Sequence, residues 1–317
     1  MSFRRFFLVR LAWALLAVFL ATVAVFSTFR LVAAHPPPGV HFDARLLEPY
    51  YDRDRLFIVR YGEFIRDFAS DGSFGRSFSR RRDTRSVALR AIPVTASVVL
   101  PGLALALALA FLFSLAWARG GAKASRLWRL PVQLAVAAIP VWVALELSFY
   151  VVFRLEWLPI QGYCDVFSPG KGCGGVSEWA KHLVLPWVTF ALFFAAVYAR
   201  ILRTVVFGAR QAKEGDQAVV IRRSVLAMTR VVGRDVGFAL GAAVFVEVIF
   251  GLPGLGGILF HSLAGFDLPV AETILLWATL LAIAVHFLVD VIVCALDPTL
   301  RAGWPFVHAR AASGESA

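Results

Sequence analysis

Charged residues are scarce in this chain of 317 residues. They account for 17% of the sequence, whereas hydrophobic residues account for 59%. This composition leaves too little polar surface for an ordinary soluble domain. Segments with the strict alternation of a membrane-barrel strand are absent as well. These two absences favour an all-α, polytopic membrane protein.

The sequence motifs of catalysis are also missing. A phosphate-binding loop needs a glycine-rich turn followed by Lys-Ser or Lys-Thr, and the nearest imitation, Gly170-Lys171-Gly172, lacks the hydroxyl residue. No His-Glu-x-x-His zinc motif or Gly-x-Ser-x-Gly nucleophile turn occurs. We therefore expect a protein that is not an enzyme and holds no metal or cofactor. If ATP drives it, a separate subunit must bind the nucleotide.

Long apolar runs dominate what is present. A spanning helix needs about 20 such residues to cross about 30 Å of hydrocarbon. The first run exceeds a signal-peptide core and others follow it, so we expect an uncleaved span. About six transmembrane helices are predicted, at residues 7–34, 94–118, 130–153, 183–202, 236–260 and 271–296.

The distribution of basic residues predicts the orientation. A cytoplasmic N-terminus places Arg4, Arg5 and Arg10 inside, together with the arginine-rich connections after the second and fourth spans. The segment at 80–90 disagrees, because its five arginines would be external. The formal net charge of +11 is then explained by cytoplasmic anchoring and lipid headgroups rather than by nucleic acid. We expect a multi-pass protein of the inner or plasma membrane.

The first external loop contains local signals of its own. Residues 55–65 have apolar side chains at helical spacing, which predicts a short amphipathic helix on the membrane surface. Asp71-Gly72-Ser73-Phe74-Gly75 has the composition of a turn.

Seven short motifs, in order along the chain, are similar to those of one family. The motifs lie at residues 6–11, 72–78, 90–95, 156–163, 182–186, 246–256 and 296–301. They resemble landmarks of the membrane subunit of dipeptide/oligopeptide-type ABC importers, a binding-protein-dependent transport family.

This resemblance implies a type I ABC importer permease fold. Residues 1–90 would hold the first transmembrane helix and the external loop region, 91–298 a transporter domain of five helices, and 299–317 a cytoplasmic tail. The implied function is a translocation pathway for peptides or similar small solutes. The implied partners are ABC ATPase subunits, a second homologous but different permease, an extracytoplasmic solute-binding protein and the lipid bilayer.

The resemblance also implies an ATPase-coupling helix in the cytoplasmic connection 203–234. The sequence departs from the family there, since Glu214 precedes the glycine and no proline follows. A solvated basic loop is the alternative interpretation. The coupling candidates are Ala209, Arg210, Ala212, Lys213 and Gly215.

Residues near 250 are candidates for the pathway or its gate. The family comparison suggests that 251–270 forms an external constriction. Proline and glycine also stop helices and allow close packing, so a purely architectural role is the alternative. The candidates are Glu247, Pro253, Gly254 and Gly256.

Charged groups within the spans support an alternative function. Glu146, His286 and Asp290 would serve an ion-coupled secondary transporter, and His286 and Asp290 share one helical face. A buried polar contact near the cytoplasmic interface is the interpretation that we favour for the last two.

Cys164 and Cys173 flank a short external turn. Outside the cytoplasm they could form a disulfide, with two free thiols as the alternative. Metal binding would need more ligands than this turn offers.

Overall fold

The computed structural model describes twelve stretches of the chain. They are residues 3–34, 56–79, 81–119, 142, 145–146, 148–159, 161–165, 173, 175–211, 228–229, 231–233 and 235–296. Within these residues the secondary structure is helical, without a strand. The helices are α1 (Phe3–Ala34), α2 (Phe57–Asp71), α3 (Thr84–Arg119), α4 (Val176–Gln211), α5 (Val236–Ile249), α6 (Leu255–Ala264) and α7 (Leu268–Leu296).

Four of these helices are long and apolar enough to cross a membrane. The spanning segments are Arg4–Ala33, Thr84–Ser114, Val176–Leu202 and Leu268–Cys294. α3 and α4 each contain 36 residues, or about 54 Å at 1.5 Å per residue. Because this exceeds a hydrocarbon thickness of about 30 Å, both helices are longer than an untilted span requires. The all-α membrane fold predicted from the sequence is confirmed.

The apolar run at 236–260 contains two helices rather than one. α5 ends at Ile249, and α6 begins at Leu255. Gly251 has a φ of 62°, a left-handed conformation that favours glycine. Pro253, predicted to stop a helix, lies in the break between α5 and α6.

The predicted third span, 130–153, lies mostly outside the described residues. Trp142, Leu145, Glu146 and Ser148 are helical, and a π-helical turn follows at Phe149–Arg154. Glu146 is exposed.

Among the described residues, the core cluster with the most buried side chains joins α3, α4 and α5. The Trp187 indole donates a hydrogen bond to the Ser97 carbonyl at 2.7 Å. Gly102 faces the Phe190 ring so closely that a Cβ at this position would lie 2.8 Å from a ring carbon. Close approach of the two helices therefore depends on a small residue at 102.

A second core joins α1, α2 and α7 and is largely aromatic. Phe26 is fully buried, and the rings of Phe57, Tyr61 and Phe64 surround it with centroids 5.2–5.7 Å away. The amphipathic helix predicted at 55–65 is therefore present as α2, with its aromatic face against α1.

Candidate functional site

The corner between α5 and α6 is built around one buried carboxylate. Glu247 lies in the last turn of α5 and is 0% exposed. The Thr95 hydroxyl of α3 donates to its Oε1 at 2.7 Å, and the Gly257 backbone N–H donates to its Oε2 at 2.9 Å. The Leu255 N–H donates to the Thr95 Oγ1 at 2.8 Å. These bonds satisfy the first N–H groups of α6 and join three helices.

Two glycines of this corner have no room for a side chain. A Cβ on Gly254 would overlap the Glu247 carboxylate, and one on Gly256 would lie 2.5 Å from the Val244 Cα. Replacement of either glycine would force backbone or a buried carboxylate to move.

The structure thus brings three of the four pathway candidates, Glu247, Gly254 and Gly256, into one packed corner. Pro253 is exposed between the helices. The geometry defines a fixed angle between α5 and α6, while a role in the pathway stays a prediction.

A second buried carboxylate was missed by the sequence analysis. Asp267 precedes α7 and is 4% exposed. It accepts hydrogen bonds from the Ser77 hydroxyl at 2.5 Å, the Ser79 hydroxyl at 2.8 Å, the Phe78 N–H at 3.0 Å and the Ser79 N–H at 3.3 Å. The available signal was a lone aspartate immediately before a long apolar run.

The rest of the segment 72–84 is bonded to α7 in the same way. The Trp277 indole donates to the Gly72 carbonyl at 2.9 Å, and the Phe74 N–H donates to the Thr273 hydroxyl oxygen at 3.2 Å. The Thr273 hydroxyl donates to the Thr84 Oγ1 at 3.0 Å. The turn predicted at 71–75 is present, with Gly72 at φ 66° and Gly75 at φ 89°.

At the opposite end, charged residues join α1, α7 and the residues before α5. Arg10 pairs with Asp290 at 3.2 Å, and the His286 Nδ1 lies 2.9 Å from the Gly233 carbonyl. The His286 Nε2 lies 3.7 Å from the Asp290 Oδ2. Gly233 also packs closely against Val289, where a Cβ would overlap the side chain. The shared helical face of His286 and Asp290 is therefore present, and both residues make polar contacts.

The coupling candidates are only partly described. Ala209 and Arg210 lie in the last turn of α4, which ends at Gln211. The helix therefore extends into the connection predicted at 203–234. Ala212, Lys213 and Gly215 lie outside the described residues.

The turn after the π-helical turn, predicted to be external, contains the two cysteines. Cys164 and Cys173 are paired in the structure, with their Cα atoms 5.2 Å apart, a separation that a disulfide can span. The Gly162 N–H donates to the Phe250 carbonyl at 3.1 Å, which attaches this turn to the α5–α6 corner. Among the described residues, no group of three His, Cys, Asp or Glu side chains could hold a metal ion.

The fold, together with the hydrogen-bonded residues at both ends of the bundle, indicates a class of protein. It is a polytopic helical membrane protein in which shorter helices pack between long spans. Residues 218–302 match the family described as "Binding-protein-dependent transport system inner membrane component". The matched region contains α5, α6 and α7, and with them the Glu247 corner, Asp267 and the His286–Asp290 pair.

Relatives of known name are similar over longer stretches. A glutathione transport system permease protein of Escherichia coli is 27% identical over 310 residues, 90% of this chain and 94% of that protein. A putative peptide transport system permease protein of Brucella abortus is 26% identical over 264 residues, 78% and 81% of the two chains. A probable peptide ABC transporter permease protein of Sinorhizobium fredii is 27% identical over 178 residues, 52% of this chain and 55% of that protein. Residues 218–302 are thus similar to the binding-protein-dependent transport family, and most of the chain is similar to permease proteins named for peptide or glutathione transport.

Proposed function

We propose that this permease and a second, homologous but different permease form the import pathway of an ABC importer. Two separate ATPase subunits would drive the cycle, and an extracytoplasmic binding protein would deliver the solute. The observation that carries the proposal is the family match at 218–302, which starts in the predicted coupling connection and continues through α7. The N-terminus would be cytoplasmic, as the basic residues of the connections predict.

Peptides or similar small solutes are the proposed cargo. Two of the relatives are named for peptide transport, and a third for transport of glutathione, which is itself a tripeptide. A substrate class taken from relatives rests on association rather than on a binding site.

The contacts of the connection 203–234 support a path by which movement of the ATPases would reach the membrane helices. The connection 203–234 joins α4 to α5, and Gly233 at its end contacts His286 and Val289 of α7. A displacement of this connection would therefore act on α5 and α7 together. Glu247 joins α5 to α6 and α3, so α6 would move with α5 rather than independently.

Purification tests the partnership. We expect affinity purification of the full chain from its native membrane in mild detergent to recover an ATPase subunit in stoichiometric amount. Vesicles that contain the assembly should take up solute only with ATP. Uptake by this polypeptide alone, driven by a proton gradient, would favour the secondary transporter based on Glu146, His286 and Asp290.

Charge reversal tests the location of the ATPase contact. The double variant Arg210→Glu/Lys213→Glu should lose ATPase association while inserting normally into the membrane. Arg82→Glu is the matched control, since Arg82 is exposed at the opposite end of the bundle and should retain the ATPase. Unchanged association in the double variant would remove both residues from the interface.

A gate is proposed at the α5–α6 corner. There Glu247, Pro253, Gly254 and Gly256 would hold α6 as a constriction of the pathway at its external side.

A disulfide is proposed between Cys164 and Cys173. If both are oxidised, alkylation of the denatured protein should modify them only after reduction. Modification of both without a reductant would contradict the disulfide.

A further inference from the structure

We propose that α2 lies within the bilayer at the level of the external headgroup–hydrocarbon boundary, with its first turn in contact with lipid chains. The surface concerned is Leu56–Val59, defined here as the lipid-facing turn. Its partner is the acyl and glycerol region of the leaflet that surrounds the C-terminal end of α1. The inference concerns membrane embedding and does not depend on the import activity.

The lipid-facing turn is apolar on every side. Leu56, Phe57, Ile58 and Val59 are 73%, 51%, 74% and 46% exposed. Successive helical residues point in directions about 100° apart, so four consecutive apolar residues cover the whole circumference of the turn. In water this turn would expose a contiguous apolar surface at a helix end.

The later turns of α2 differ from the first. Tyr61, Phe64 and Phe68 face the protein, whereas Gly62 and Arg66 are exposed on the outer side. The polar outer side of these later turns is compatible with the headgroup region, and the wholly apolar first turn is what favours contact with lipid chains over external water.

The α1 residues that α2 contacts indicate how far α2 lies from the end of that span. The Phe57 and Phe64 rings both lie beside the Phe26 ring, with centroids 5.2 Å and 5.3 Å away, and the Tyr61 hydroxyl lies 2.7 Å from the Thr22 hydroxyl oxygen. Arg30 is the first charged residue after Arg10 along α1. Phe26 and Thr22 precede it by four and eight residues, roughly 6 Å and 12 Å along the helix.

Contacts with α7 also place the other end of α2 inward of the start of a span. The Phe68 ring lies 5.9 Å from the Trp277 ring, and the Trp277 indole is bonded to the Gly72 carbonyl. Trp277 follows Leu268, the first residue of α7, by nine positions, or roughly 13 Å. Both ends of α2 therefore lie inward of the outer ends of the spans that hold it. Interfacial helices are buried by about 5–10 Å, and Trp is enriched at this level.

Lipid is the occupant that the neighbouring surface favours. The α1 helix that holds α2 exposes large apolar side chains along its length, including Leu15, Leu20 and Leu31 at 60%, 57% and 64%. The lipid-facing turn continues this apolar surface of a spanning helix. A second permease seated on the turn is the competing occupant, and the experiment below separates the two.

Spin-label accessibility tests the proposal. The full chain carrying Cys294→Ala and Ile58→Cys is labelled with a nitroxide in lipid vesicles, together with its ATPase and permease partners where these co-purify. Collisions with oxygen, which partitions into lipid, are compared with collisions with water-soluble nickel ethylenediamine diacetate. Leu15→Cys is the lipid reference, and Arg82→Cys, exposed outside the helices, is the water reference.

We expect the oxygen-to-nickel accessibility ratio at Ile58 to approach that at Leu15 and to exceed that at Arg82 several-fold. Ser70→Cys, on the exposed side of a later turn, should give an intermediate ratio. A ratio at Ile58 equal to that at Arg82 would overturn the proposal in favour of external water. Low accessibility to both reagents would overturn it in favour of a protein partner. Val59→Cys repeats the measurement if Ile58→Cys does not fold, and the chain without an introduced cysteine reports any labelling of Cys164 and Cys173.

Discussion

The two ends of the helical bundle hold their polar groups in different ways. At one end, Glu247 and Asp267 are 0% and 4% exposed, and each accepts hydrogen bonds from backbone N–H groups and hydroxyls of other elements. At the other end, Arg10, Asp290 and His286 have side chains that are 20%, 22% and 46% exposed. Disrupting a buried, satisfied network is costly, whereas a partly exposed ion pair contributes little.

From this difference we expect one end to act as a fixed frame and the other to rearrange more easily. The frame joins α3, α5 and α6 through Glu247, and α7 to the segment 72–84 through Asp267. The charged end joins α1, α7 and Gly233 through contacts of more exposed side chains. In the proposed transporter, the ATPase-coupling connection lies at the end with the weaker contacts, as alternating access requires.

Removal of the Glu247 carboxylate should have the largest effect. Glu247→Ala leaves the Thr95 hydroxyl and the Gly257 N–H without an acceptor and opens a cavity, so we expect a loss of about 3 kcal/mol or more in unfolding free energy. Thermal unfolding followed by tryptophan fluorescence in detergent measures it. Glu247→Gln keeps the volume and one acceptor and should lose about 1 kcal/mol. Equal stability of the alanine variant and the parent would refute a structural role for the carboxylate.

Addition of one methyl group at Gly256 should be the next largest change. Gly256→Ala forces a Cβ against the Val244 backbone, and we expect a loss of about 2 kcal/mol. Gly241→Ala is the matched control on α5, because no atom lies within 4 Å of its added Cβ. The same unfolding assay compares them, and similar losses at both positions would show that the close contact is not limiting.

Asp267 offers a local test of the frame. Asp267→Ala removes the acceptor for four hydrogen bonds from residues 77–79, and we expect this segment to detach at a cost of about 2 kcal/mol. Trypsin should then cleave near Arg76 and Arg82 several-fold faster, as followed by mass spectrometry. Asp67→Ala removes an exposed carboxylate that lies 3.5 Å from Arg66, and this variant should be cleaved at the parental rate. An unchanged rate for Asp267→Ala would mean that other contacts hold the segment.

The ion pair at the other end should have the smallest effect on stability. Arg10→Gln and Asp290→Asn should each change the unfolding free energy by less than about 1 kcal/mol, because the pair is partly exposed. Their effect should be on transport, measured as ATP-dependent uptake by the assembled importer. The swap Arg10→Asp/Asp290→Arg should restore part of the uptake that each single variant loses. Lys181→Gln, which breaks an exposed pair with Glu178, is the control and should transport normally. A large stability loss in Arg10→Gln would contradict the comparison of the two ends.

Local patterns predicted the helices well and their contacts poorly. The helix α2 and the turn after it were predictable, because their signals are local. The spacing at 55–65 determines which side of the helix is apolar, and the glycines at 72 and 75 permit the backbone angles of the turn. The pairing of Ser77 with Asp267 joins residues 190 positions apart, and no local pattern encodes such a contact. The break at Pro253 was visible in the sequence, whereas the bonding of Glu247 to Thr95, 152 positions away, was not.

The amino-acid sequence by itself determined that this chain is a bundle of membrane helices, because long apolar runs cannot remain in water, and its ordered motifs indicated a resemblance to importer permeases. Only the tertiary structure decided which partner each polar side chain has. It assigned Glu247 and Asp267 to buried hydrogen-bond networks and Asp290 to an ion pair, since each partner comes from a distant helix and is selected by packing rather than by spacing.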